Sequence, residues 1–194
     1  MQTAEKNFRR RDFAATCAPW LIYFVVASAG YFRTSVAAAL AVIILLQSRN
    51  IRAVKAVNWA IFALFLFLFL GAVVFRLPWV NQYSGVFASV ALAAMAFGSL
   101  AVGAPFTAQY AREQVEERLW NSPHFLRVNQ ILTAAWGAIF ILLGILALPQ
   151  GAMQKNWRVA AISAALTLTG VLFTKWFPLW YRRHIFNPQI LPNK

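Results

Sequence analysis

Six stretches of this chain carry almost no charge: 13–30, 34–47, 57–75, 85–104, 128–148 and 157–177. The last four approach the ~20 residues that a helix needs to cross a hydrocarbon core. Backbone polar groups find no water in such a core, so a helix that satisfies its own N–H and C=O groups is the natural spanning element. The runs therefore predict an all-α fold, a polytopic transmembrane helical bundle built as one integral membrane domain. The first two runs are short and are separated only by Tyr31, Phe32 and Arg33. They form either a tight spanning hairpin or a re-entrant one buried against the bundle. The expectation is about six segments, with five, or four plus a hairpin, as the alternative.

Composition agrees. Of 194 residues, 61% are hydrophobic and 12% charged, about half the charge of an ordinary soluble domain, and a soluble core of this size could not hide that much apolar surface. The net charge of +13 would suggest nucleic acid in a soluble protein. Here the basic residues cluster at the ends of apolar runs, so membrane orientation explains them and no nucleic-acid partner is expected. With the N-terminus inside, Lys6, Arg9, Arg10, Arg11, Arg49, Arg52, Lys55, Arg112, Arg118, Arg127, Lys175, Arg182, Arg183 and Lys194 fall on the cytoplasmic side. Only Arg33, Arg76, Lys155 and Arg158 fall outside. This bias predicts an even number of spans with both termini cytoplasmic. The single Cys17 excludes an intrachain disulfide and reads as a small buried residue. The basic cluster before the first run also has the outline of a signal peptide, yet the segments that follow make an uncleaved first helix the plainer reading.

Trp59, Trp79, Trp157, Trp176 and Trp180 lie near the ends of runs, where an amphipathic ring suits the headgroup level. Trp136 lies well inside the fifth run, where its indole N–H needs an acceptor on another helix. The third run, with "FALFLFLFL" over 62–70, is bulky all round and reads as lipid-facing. The fourth is rich in Gly, Ala and Ser, with Gly85, Ser89 and Ala93, and also Ala94 and Gly98, at four-residue spacing. Such a surface suits the bundle centre or a homodimer seam along 85–104.

Three of the five acidic residues sit between the fourth and fifth runs, in the stretch 105–123. Pro105 can end the fourth helix, Ser122 can cap the fifth and Pro123 can open it. A short cytoplasmic loop helix fits between them. At ~100° per residue, Phe106, Tyr110 and Trp120 share a face with Glu113 and Glu117, while Ala111, Val115 and Leu119 lie opposite. Two apolar stripes imply a helix sandwiched between the bundle and a partner, or one broken near Val115. Glu113, Glu116, Glu117 and His124 could be read as a metal or acid/base cluster. The plainer reading pairs Arg112 with Glu116 at i,i+4, leaves Glu113 and Glu117 near Arg118 and the neighbouring basic loops, and leaves His124 solvated. No H-E-x-x-H signature, phosphate-binding glycine loop or nucleophile elbow occurs.

No Asp or Glu falls within a run, so a carboxylate proton relay has none of its usual parts. Asn58, Asn129, Gln130, Thr133, Ser163, Thr167 and Thr169 do enter runs, with interhelical hydrogen bonds as their default role. Asn129, Gln130 and Trp136 are the intramembrane polar positions of interest. No catalytic residue, metal or cofactor is expected.

"APWLIYFVVASAGYF", then "TSVAAALAVIILLQ", a basic turn, a proline after the fourth helix, a loop ending in Trp, "RVNQILTAAWGAIFILLGIL" and a last helix opening with Trp157 form a pattern across most of the chain. This pattern distantly resembles the bacterial septation protein A family of inner-membrane proteins. Pro19, Leu21, Ile22, Phe24, Pro105, Trp120, Arg127, Asn129, Trp136, Gly144 and Trp157 carry the resemblance. It implies a bacterial inner-membrane protein connected with the cell envelope and septation, acting through membrane partners. The two apolar stripes of the loop, whose second face needs a cover, set the expected function as non-enzymatic binding of membrane proteins through Phe106, Tyr110, Val115, Leu119 and Trp120. A small-solute transporter or channel using Asn129 is the alternative, and an enzyme using Glu113, Glu117 and His124 comes third.

Overall fold

The computed structural model describes residues 18–23, 25–27, 29–48, 56–148 and 157–184, and among them there is no strand. The first run gives α1 (Ala18–Ala27) and the second α2 (Phe32–Ser48). The third gives α3 (Ala56–Phe69), which continues into a π-helical turn, Leu70–Val74. Then come α4 (Pro78–Gln82), α5 (Ser84–Ala101), α6 (Phe106–Ala111), two 3-10 turns (Arg112–Gln114 and Glu117–Leu119), α7 (Pro123–Leu146) and α8 (Trp157–His184). Four helices are long and apolar enough to cross a membrane, over Val57–Val74, Ser84–Ala101, Pro123–Leu146 and Trp157–His184. The apolar parts of α1 and α2 are shorter, so four of the six runs reach spanning length. The N-terminal basic cluster, Cys17, Phe24 and the basic turn 49–55 lie outside the described residues.

The chain divides into two compact units, Met1–Ala88 and Ser89–Lys194. In the first, α2 and α3 pack through matching helical stripes. Val36, Ala39, Leu40 and Ile43 are buried on α2, and Ile61, Leu64, Phe65 and Leu68 on α3, with the i, i+3, i+4, i+7 spacing of one helix face. The Trp20 and Tyr23 rings meet Phe65 edge-on at 5.5 and 5.6 Å. The expectation that α3 faces lipid all round is therefore corrected. Leu66 and Phe67 point outward, but Phe65 is fully buried, because α2 supplies an apolar stripe of the right period to cover it.

In the second unit α7 and α8 pack along each other. Val128 and Leu132 are buried with Phe177, and Ile131, Phe173, Trp180 and Tyr181 close around them. Trp136 supplies the lock that its position demands. Its indole N–H donates to Thr174 Oγ1 at 2.9 Å, and the Thr174 hydroxyl donates to the Gly170 carbonyl at 2.8 Å. The ring lies so close to α8 that a Cβ on Gly170 would sit 3.0 Å from Trp136 Cη2 and 2.8 Å from Ile139 Cδ1. The small residues of α5 divide between two faces. Ser89, Ala93 and Ala96 are buried, with Ser89 against Gly144 of α7, whereas Ala94 and Gly98 are exposed.

These contacts separate two glycines of similar sequence surroundings. Gly170→Val should destabilise the protein by about 1–3 kcal/mol through overpacking against the Trp136 ring, read as a lower melting temperature in detergent. Gly98→Ala, whose new methyl meets nothing within 4 Å, should leave that temperature unchanged or slightly raised.

Candidate functional site

The segment between α5 and α7 is built from its ends inward. α5 closes with a left-handed residue, Gly103 at φ +72°, a conformation open to glycine at little cost. The Gly103 N–H bonds the Leu100 carbonyl at 3.0 Å and the Ala104 N–H bonds that of Ser99 at 2.9 Å, the paired pattern that satisfies the last carbonyls of a helix. Glycine thus ends α5, while Pro105 caps the start of α6. The free N–H of Phe106 donates to Ser99 Oγ at 3.1 Å. At the other end the Ser122 hydroxyl accepts from the Phe125 N–H at 3.2 Å, with Pro123 in the first turn of α7. That is the cap and proline start expected from the sequence.

α6 lies against α7 and is joined to it by a buried polar cluster. Thr107, Asn129 and Thr133 are all buried. Thr107 Oγ1 lies 2.9 Å from the Asn129 carbonyl and 2.8 Å from Thr133 Oγ1. Each hydroxyl has one proton, which orders the network. Thr107 donates to the Asn129 carbonyl, Thr133 donates to Thr107, and the Thr107 N–H approaches Thr133 Oγ1 at 3.5 Å, a weak contact. The Asn129 amide donates to the Phe125 carbonyl at 2.8 Å. Its Oδ1 is enclosed and receives no hydrogen bond among the described residues.

Beyond α6 the expected loop helix gives way. Val115 adopts an extended conformation, φ −129° and ψ 152°, and Glu116 follows at φ −62° and ψ 145°. Of the two readings of the striped segment, the one with a break near Val115 is found. The i,i+4 pairing of Arg112 with Glu116 is corrected accordingly, since it needs continuous helix. Glu116 pairs with Arg118 instead, and the Arg112 guanidinium lies over the Trp120 ring, 5.5 Å from its centroid. The Trp120 indole N–H donates to the Val115 carbonyl at 3.2 Å, folding the loop around that ring.

The candidate residues thus take different places. Phe106 is buried, and Tyr110 and Trp120 are half-buried. Val115 and Leu119 are exposed, at 37% and 43%. Asn129 joins the α6–α7 cluster, Trp136 binds Thr174, and half-buried Gln130 takes part in neither bond set. Among the described residues no three His, Cys, Asp or Glu side chains lie together in a way that could hold a metal ion. Thr167 and Thr169 return their hydroxyls to the carbonyls of Ser163 and Ala165 in their own helix, which leaves them neutral on an exposed face. Ser99, Thr107 and Thr174 were not singled out from sequence. The signal was Asn129 and Thr133 at i,i+4, one polar stripe whose partner had to come from elsewhere. Compared with family models, with curated proteins and with solved structures, the chain matches none.

The network distinguishes two neighbouring substitutions. Thr107→Val removes the donor to the Asn129 carbonyl and should cost about 1–2 kcal/mol, read as a lower melting temperature together with faster tryptic cleavage after Arg112 and Arg118. Asn129→Leu keeps that main-chain acceptor and removes the unbonded Oδ1 along with one bond within α7. Its stability should stay within about 1 kcal/mol of the parent and its loop should remain equally resistant.

Proposed function

We propose that this is a non-enzymatic integral membrane protein that binds other membrane proteins through the loop between α5 and α7. The observation that carries this reading is the exposure of Val115 and Leu119 on a segment whose course is set by its own contacts. Ser99 and Thr107 hold one end, Ser122 holds the other, and Trp120 gathers the middle. A segment ordered before binding loses less conformational freedom when a partner covers it. Phe106 serves as internal ballast for this mount, so the binding surface narrows to Val115 and Leu119 with the outer edges of Tyr110 and Trp120.

The setting follows from the resemblance and the charge pattern. The protein resides in a bacterial inner membrane, with α1 and α2 completing six segments, both termini and the loop on the cytoplasmic side, and partners that belong to envelope synthesis or septation. A second copy of the chain is the partner suited to the exposed Ala94 and Gly98 of α5. The solute-pathway alternative draws less support, because Asn129 and Thr133 are engaged in the α6–α7 cluster.

Crosslinking in the native membrane, followed by purification and identification of what is attached to residues 105–123, tests the reading. A defined membrane-protein partner should be recovered with the parent protein. Leu119→Glu, or Val115→Asp, should reduce that recovery by about 10- to 100-fold, as expected for losing one or two apolar contacts, with an unchanged melting temperature. Stoichiometric recovery from both variants would overturn the proposal.

A further inference from the structure

The far end of α8 combines length, aromatic stacking and a concentration of positive charge. α8 has 28 residues, or ~42 Å of helix, against a hydrocarbon core of ~30 Å. Trp157 and Trp176, both exposed, lie about 29 Å apart along it at 1.5 Å per residue, the separation of two headgroup-level tryptophan belts. Everything after Trp176 then projects into the headgroup layer of one leaflet.

That projecting part is a built surface. The Trp176 and Trp180 rings stack at 5.7 Å and 27°. Trp180 in turn stacks on His184 at 5.2 Å and 22°, and on its inner side lies 6.0 Å from the buried Phe177. Arg183 follows Trp176 and Trp180 at helical spacings of seven and three, and so shares their flank. Arg182, Arg183 and His184 form the last turn, and Lys175, Arg182 and Arg183 are exposed. No Asp or Glu occurs in the sequence after Glu117. Complementing the C-terminal helix dipole accounts for only about half an elementary charge, far less than these side chains carry.

We infer that this end of α8 is a binding site for an anionic phospholipid of the surrounding bilayer. Arg183 contacts the headgroup phosphate, where a guanidinium can offer two parallel N–H donors. The exposed Trp176 ring and the outer edge of the half-buried Trp180 lie against the glycerol and ester region, which suits a ring that is apolar at one end and polar at the other. Arg182 and Lys175 add positive field, Lys175 by extending its stem toward the headgroups. The site is independent of the loop, so it stands or falls separately from partner docking.

Native mass spectrometry of the intact protein with equimolar phosphatidylglycerol and phosphatidylcholine of identical acyl chains tests it. The parent protein should retain the anionic lipid preferentially, and millimolar inorganic phosphate should not displace it. Arg183→Gln should lower the preference about fivefold, and Arg182→Gln with Arg183→Gln should erase it. Arg183→Lys, which keeps the charge, should retain most of it, and Arg158→Gln at the opposite end should leave it unchanged. Circular dichroism and elution volume identify variants that fold. Equal retention of the two lipids, displacement by inorganic phosphate, loss with Arg158→Gln, or a preference surviving in the folded double variant would each overturn the assignment.

Discussion

A helix satisfies its own backbone everywhere except at its ends, and at the ends that flank 105–123 the chain supplies several of the missing partners itself. The structure follows from how it does so. Gly103 turns back to bond the last carbonyls of α5, Ser99 receives the first N–H of α6, and Ser122 receives one from α7. Polar side chains within the helices obey the same rule. The Trp136 indole reaches Thr174, and the Thr107 hydroxyl reaches the Asn129 carbonyl. Interhelical bonds of this kind contribute about 0.6 kcal/mol on average, so their importance lies in position more than in energy. They decide which helix faces which and leave few alternatives of equal satisfaction.

The same rule connects packing to the proposed function. α6 holds Thr107 against α7 with Phe106 buried beside it, and the chain that follows does not continue as one helix toward Ser122. It breaks at Val115, and Trp120 closes the resulting loop through its bond to the Val115 carbonyl. Val115 and Leu119 are exposed on the loop that this break leaves. One atom escapes the rule: Asn129 Oδ1 is enclosed without a hydrogen bond among the described residues, at a cost of about 1–3 kcal/mol.

Much of the architecture was legible from the chain itself. Apolar runs located the four helices of spanning length, the placement of Ser122 and Pro123 located the start of α7, and the depth of Trp136 required an acceptor that Thr174 provides. Other features were not. The composition of 62–70 gave no sign that Leu64, Phe65 and Leu68 are buried while Leu66 and Phe67 are exposed, because a uniformly bulky helix has no apolar face to read. The stripes of 105–123 assumed an uninterrupted helix, and the projection lost its meaning once Val115 became extended.

Hydropathy and end signals act over one or two turns, and so helix positions, helix caps and the excess of positive charge at certain ends are written locally in the chain. Which small residues of α5 are covered, which side chain answers Asn129 and Thr133, and where the loop turns its apolar side chains outward emerge only once the helices have packed. Those outcomes depend on pairs such as Thr107 and Thr133 or Trp136 and Thr174. Their separation along the chain is large, and their meeting is fixed by the mutual packing of helices that no local pattern encodes.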